Sequence, residues 1–199
     1  LVVAIVGSDA SGKTTIVKST ATWFARNFKT RCFHVGKPPS TFLSFIPNVF
    51  LPAARNLLPE SRSSMVTRST RDSNQLSSLN FLIFSVRSLL VAYDRRAVAK
   101  KAFSLASDGY VIICDRYPAR DYGGMDGPKI RACGSALIDS KVGGFFADIE
   151  ERVYSSLPSP NLIVRLKVPL DIAIQRDLMR EVRLRDSEQW IRLRHKIMS

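Results

Sequence analysis

The nine residues GSDASGKTT, Gly7 to Thr15, follow directly on the apolar run LVVAIV. Two glycines, a lysine and two threonines at the end of a buried strand are the parts of an anion site. Glycine lets backbone N–H groups turn inward, and a helix beginning at Gly12 or Lys13 adds the positive end of its dipole. Gly7-Ser8-Asp9-Ala10-Ser11-Gly12-Lys13-Thr14 matches the phosphate-loop pattern GxxxxGK[ST] at every fixed position. In that pattern the segment Gly7, Ser8, Ala10, Ser11, Gly12, Lys13, Thr14 and Thr15 surrounds the phosphates of ATP. Lys13 reaches the β- and γ-phosphates, and the Thr14 hydroxyl serves Mg²⁺. Asp9 is less usual, because phosphate repels a carboxylate unless it faces the metal or an acceptor hydroxyl. Its plainer reading is an exposed turn aspartate.

A second group stands at Cys114-Asp115-Arg116-Tyr117, behind the apolar run YVIICD. Ligands of open α/β sheets bind at the carboxyl ends of strands. There Asp115 can join the magnesium shell, and Arg116 can offer planar donors to phosphate. A solvated pair ending a strand is the alternative.

The elements that must carry these residues follow from hydrophobic periodicity. LVVAIVG reads as a strand buried on both faces. A helix should follow to about Phe28, with Ile16, Trp23 and Phe24 among its core residues. A short strand is expected at Arg31 to Val35. From 36 to 71 five prolines interrupt regular structure, leaving only short helical turns at STFLSF and ARNLL. One long helix then runs to about Ser107, stopped by Asp108-Gly109. Strands are expected at Tyr110 to Asp115 and at Asn161 to Val168, the latter less apolar and nearer an edge. Between them, residues 118–144 read as irregular and FFADIEERVYSSL as a helix. The chain from Pro169 onward is helical in pattern. Alternating strands and helices imply an α/β chain, a parallel sheet with helices on both faces. The three-layer P-loop NTPase fold with strand order 2-3-1-4 is the architecture expected from the phosphate loop and from the family that the motifs resemble. Residues 1–199 read as a single kinase domain. It would be trimmed at both ends and lack a fifth strand, since the chain opens on Leu1 and stops after a basic helical segment.

Composition narrows the class. The three cysteines have no CxxC spacing, which argues against a zinc site or disulfide framework and for a reducing, cytoplasmic compartment. No stretch reads as a membrane span, because FLIFSVRSLLVAY is short and carries Arg87. A net charge of +13 calls for anionic partners, among them nucleotides and nucleic acid. Nucleic acid is the less favoured partner, because no basic strand is interleaved with base-stacking aromatics.

Four pieces in order resemble the thymidylate kinase family and its thymidylate kinase-like relatives. Gly7 to Thr14, with Asp9, resembles the family's GxDGxGK[ST] loop, although Ala10 stands where the family usually has glycine. Ala92-Tyr93-Asp94-Arg95 resembles its ADR element, and Asp115-Arg116-Tyr117 its DRY motif. Val168-Pro169-x-x-x-Ala173-x-x-Arg176-x-x-x-Arg180 is similar to the segment leading into its lid. The resemblance implies phosphoryl transfer from Mg-ATP to a nucleoside monophosphate. Lys13, Asp9, Arg116 and Arg180 would be catalytic, and Thr14 and Asp115 would serve the metal. Arg176 would lie on the adenine side, and Asp9, Lys37 and Arg95 would bind the acceptor. It also implies an acceptor-binding insertion at 36–71, a basic lid at 176–196 and a family habit of homodimerising through long helices. Phe81, Phe84 and Leu89 suit either such a face or the core. The alternative for Arg95, and for Arg176, Arg180, Arg183 and Arg185, is a wet basic surface. The segment Gly124-Met125-Asp126-Gly127-Pro128 departs from the family's pattern.

A phosphate acceptor is anionic at neutral pH and needs little base catalysis, whereas a sugar hydroxyl more often needs a carboxylate. The second strand ends His34-Val35-Gly36-Lys37 without an acid, which favours a phosphate acceptor. His34 reads as a core residue. A kinase for another small phosphorylated or hydroxylated metabolite is the runner-up, followed by a nucleic-acid-stimulated ATPase.

Overall fold

The computed structural model describes residues 1–8, 10–36, 78–118, 126–133, 136–179 and 191–192. Asp9, Lys37, Arg180 and most of the 36–71 and 176–196 segments lie outside them.

Strand β1 (Val2–Gly7) leads into helix α1 (Lys13–Phe24) and strand β2 (Thr30–Phe33). Helix α2 (Ser78–Ser107) precedes strand β3 (Val111–Asp115). Helix α3 (Lys141–Ser155), strand β4 (Leu162–Leu166) and helix α4 (Leu170–Leu178) follow. Two short 3₁₀ turns, Arg131–Cys133 and Ala136–Asp139, come before α3.

The four strands form one parallel sheet, as the alternation of elements predicts, in the expected order β2-β3-β1-β4. Val3 pairs with Ile113 and Ile5 with Asp115 on one side of β1, and Gly7 pairs with Leu166 on the other. Successive residues of β1 and β3 face opposite sides of the sheet, and all are buried. Both faces are therefore covered, which is what continuous β-branched runs are suited to. Strand β4 lies at an edge among the described strands, as its more polar sequence implies.

On one face Ile5 and Ile113 pack with Val17, Ala21 and Phe24 of α1. Steps of four and three residues keep these on one side of a helix. Ile16 and Trp23 fall off that stripe and are exposed, Trp23 by 61%. The sequence reading placed both in the core because it counted apolar residues without fixing the stripe's phase. Helix α1 also stops at Phe24, short of Phe28.

Helix α3 begins earlier than its apolar residues suggest. Ser140 caps it by accepting the Gly143 N–H at 3.0 Å, so the glycine pair lies in the first turn and not in a loop. A Cβ on Gly143 would run into the Leu137 carbonyl and stand 2.8 Å from Ile138 Cα. The glycine is there for close approach.

The fold divides into two compact units. One takes Leu1–Lys37, Val98–Gly127 and Pro158–Ser199 and holds the sheet, and the other takes Pro38–Ala97 and Pro128–Leu157. In the second, Phe81, Ile130 and Ala147 form a core cluster with Phe84 and Leu89 against it. The stripe on α2 is thus core of its own unit. No described helix is long and apolar enough to cross a membrane.

Candidate functional site

In this sheet order the crevice for a ligand opens between the carboxyl ends of β1 and β3, where the chain's crossovers diverge. Both motif groups arrive there, within the sheet-bearing unit.

Behind β1 the loop is shaped by backbone. Gly12 takes the left-handed conformation (φ 86°, ψ 15°) as it enters α1, and Ala10 takes it too (φ 57°). Ala10 therefore keeps the geometry for which glycine is the usual residue, at a cost of roughly 1–2 kcal/mol. Its methyl is buried against Ala173 and Ile191, with Leu170 and Ile174 beside them. Gly7 admits no side chain, because a Cβ would lie 2.7 Å from the Leu166 carbonyl oxygen and 2.9 Å from Ser11 Oγ. Lys13 is buried, and its Nζ donates to the Ser8 carbonyl and to Ser11 Oγ at 3.3 Å. Ser8 and Ser11 are buried as well, while Thr14 and Thr15 are exposed at the helix start. Arg176 of α4 brings Nη1 within 3.9 Å of where a Gly12 Cβ would stand, so this arginine does reach the phosphate loop.

Behind β3 the site is made of side chains. Thr14 Oγ1 donates to Asp115 Oδ2 at 3.4 Å, joining the two motifs. The other oxygen, Asp115 Oδ1, is buried and has no hydrogen-bond partner among the described residues. A buried carboxylate oxygen left unsatisfied is costly unless a ligand or ion completes it. Thr14 and Asp115 therefore fit a magnesium ion bound together with nucleotide phosphates. Among the described residues no group of three or more His, Cys, Asp or Glu could hold a metal alone. A magnesium ion needs few protein ligands where its substrate's phosphates supply the rest. Bound there, Mg²⁺ would neutralise phosphate charge.

Arg116 adopts a left-handed backbone (φ 62°), and its N–H donates to the Ile5 carbonyl at 3.0 Å. Tyr117, the third residue of the motif, is buried and donates its hydroxyl to the Pro158 carbonyl at 2.6 Å. Burial, with Cys114 nearby, raises its phenol well above the usual tyrosine range, so it serves as an anchor of the turn. Cys114 is pushed up to about 12, first by burial and then by Cys32, which leaves it a packing residue rather than a nucleophile.

His34 corrects the sequence reading. Strand β2 stops at Phe33, so His34 is carried past the strand to the ligand edge. Its side chain is 41% exposed and its Nε2 stands 3.9 Å from Asp115 Oδ2. Sequence reasoning also missed Gly36 and Asp126, which flank Arg116. The only signal was the unfamiliar Gly124-to-Pro128 segment.

Arg95 belongs to the second unit and is buried, which removes the reading of it as wet surface. Its Nη1 donates to Tyr154 Oη at 2.7 Å. Nearby, buried Glu150 accepts the N–H groups of Lys129 and Ile130 at 2.9 and 2.7 Å. Burial raises its carboxyl above the ordinary range, opposed by those two bonds and by the charges of Lys129 and Arg95.

No protein-family model matches the chain. It is similar to the uncharacterized ATP-binding protein YghR of Escherichia coli K12, 26% identical over 181 residues, covering 87% of this chain and 68% of YghR. It is also similar to the uncharacterized ATP-binding protein YghS of the same strain, 28% identical over 134 residues, covering 65% of this chain and 53% of YghS. Among solved structures, deoxyadenosine kinase from M. mycoides with bound dATP matches with a TM-score of 0.51 and 16% identity. That match covers all of this chain and 81% of the kinase. The fold is the P-loop fold of that kinase.

Proposed function

We propose that this chain binds Mg-ATP and transfers its γ-phosphoryl group to a nucleoside monophosphate, in the manner of thymidylate kinase-like enzymes. The observation that carries the reading is the joining of Thr14 to Asp115, with the second Asp115 oxygen buried and unpartnered among the described residues. A phosphate loop alone would serve many nucleotide-binding proteins. A carboxylate from the neighbouring strand, aimed at the same cation position, suits one that must align and discharge two phosphates. The relatives named as ATP-binding and the kinase fold agree with it.

In this reading the loop from Gly7 to Thr15 cradles the ATP phosphates. Lys13 and Arg116 offset charge on the transferring group, and Arg176 flanks the nucleotide. Arg180, within a basic lid at 176–196, closes over the donor and excludes water. Asp9 and Lys37 receive the acceptor. A second acceptor class has an observation of its own: the structural neighbour is titled a deoxyadenosine kinase, so a nucleoside hydroxyl also belongs in the test.

The test is ADP release with Mg-ATP and a panel of nucleoside monophosphates and nucleosides, run beside Lys13→Ala. The expected result is ADP formation that depends on one monophosphate and falls about 10²-fold or more in the variant. Dependence on a nucleoside would move the acceptor to the hydroxyl class. Hydrolysis indifferent to every acceptor would remove the kinase reading and send the search to nucleic-acid stimulation.

A further inference from the structure

Asp126, from the stretch of sequence that departs from the family's pattern, stands at the ligand edge of the sheet beside Arg116. Asp126 Oδ2 stands 4.0 Å from Arg116 Nη1. Both side chains are largely buried, at 18% exposure for Arg116 and 13% for Asp126. At 4.0 Å the pair is an ion pair and not a hydrogen bond. Its attraction is strengthened by the poor solvent access. The third member is Gly36, from the end of the β2 segment. A Cβ there would lie 2.7 Å from Arg116 Cβ, 2.7 Å from its Cδ and 3.1 Å from Asp126 Oδ2. Arg116 Cβ cannot yield easily, because its backbone is left-handed and tied by its N–H to Ile5. The stem of Arg116 therefore lies across the bare Gly36 backbone with the Asp126 carboxylate beside it.

We propose that Asp126 and Gly36 form a positioning clamp for Arg116: Asp126 sets the direction of the guanidinium by charge, and Gly36 supplies the space in which its stem lies. The clamp serves the phosphate group that Arg116 meets in the reading above, and rests on that reading for its purpose. It accounts for three features that the phosphate loop leaves unexplained. These are a strained arginine at the end of β3, a glycine with no room for a methyl, and a carboxylate held next to an anion-binding edge. An unpaired long cation would sweep many rotamers, whereas one held on a glycine surface by a fixed countercharge loses little freedom on meeting phosphate.

The experiment is a double-mutant cycle on the full chain with Asp126→Asn, Arg116→Ala and the pair together, with melting temperature measured for each. Asp126→Asn keeps size and removes charge. It is expected to lower kcat roughly tenfold while the melting temperature holds, since a misplaced catalytic group costs rate far more than fold. In the Arg116→Ala background the same change is expected to add less than about twofold, because the two residues act as one unit. Gly36→Ala should reproduce the Arg116 defect if it folds, and the cycle stands without it. Mg-ATP affinity is read by calorimetry on the same proteins, expected to weaken about threefold in each single variant and no further in the double. That arm decides the clamp even if no acceptor is ever turned over, an outcome that would sink the kinase reading alone. Wild-type behaviour of Asp126→Asn in both arms, or losses that simply add, would overturn the clamp.

Discussion

Behind β1 the chain turns through Gly7, Ala10 and Gly12, and what it offers a ligand is mostly backbone. Behind β3, a neighbouring strand in the same sheet, it offers the side chains of Asp115 and Arg116, supported by His34, Gly36 and Asp126 from other parts of the chain. The first end is built locally, from the backbone turns at Gly7, Ala10 and Gly12 and the start of α1. The second is assembled by the fold. Damage to the two ends should therefore look different. At the β1 end, geometry and stability are one property. At the β3 end, a side chain can be disarmed while the fold stands.

The largest expected effect tests the second half of that contrast. Asp115→Asn keeps the shape of the side chain and the Thr14 contact, but leaves a neutral group where the buried oxygen would face the cation. Turnover should fall about 10²–10³-fold, the scale of losing one preorganised electrostatic group. The melting temperature should stay within a few degrees, since an unsatisfied buried charge is removed at the same time. Activity assayed across magnesium concentrations should show saturation displaced upward. A variant that melts much earlier and loses activity in proportion would mean that the β3 end is as structural as the β1 end.

Gly7→Ala asks the converse. Its methyl would stand 2.7 Å from the Leu166 carbonyl oxygen, and Gly7 pairs with Leu166 in the sheet. Overpacking of this kind costs roughly 1–3 kcal/mol. Because the strand and the loop share that residue, thermal stability and Mg-ATP affinity should fall together. Calorimetric binding and a melting curve on the same sample check it, and loss of one without the other would break the contrast.

How much could be read from the chain follows the same division. The phosphate loop was legible because its meaning lies in eight successive residues, the parallel sheet followed from alternating periodicities, and the strand order from the fold that the motifs resemble. Asp115 and Arg116 were legible as types at a strand end. Their supports were not: the whole 30-residue helix α2 and more lies between Gly36 and Arg116, and no local pattern announces a glycine needed for space beside a distant arginine. His34 was misread for a narrower reason. An apolar neighbour on either side, Phe33 and Val35, suggested a strand position, while β2 stops just before it. Ile16 and Trp23 were misplaced because composition says a helix has apolar residues but only tertiary packing fixes which side is inside.

The smallest expected effect concerns Ala10, the loop's departure from glycine. Replacing it by glycine would relieve roughly 1–2 kcal/mol of left-handed strain. It would forfeit about 0.8 kcal/mol for the buried methyl against Ala173 and Ile191. It would also cost about 0.4–1 kcal/mol through the freer unfolded chain. These nearly cancel, so Ala10→Gly should shift unfolding free energy by less than about 0.5 kcal/mol, measured by denaturant titration. What it should change is rigidity: the loop loses its apolar hold on α4 while keeping its backbone path. Hydrogen exchange of the Ser11 and Gly12 amides should then quicken relative to the Ile5 amide in the sheet. Unchanged exchange together with clear stabilisation would mean that the methyl packs to no purpose and the alanine is simply strained. Faster exchange at constant stability would show that even the backbone-built end of this site borrows one side chain to hold its shape.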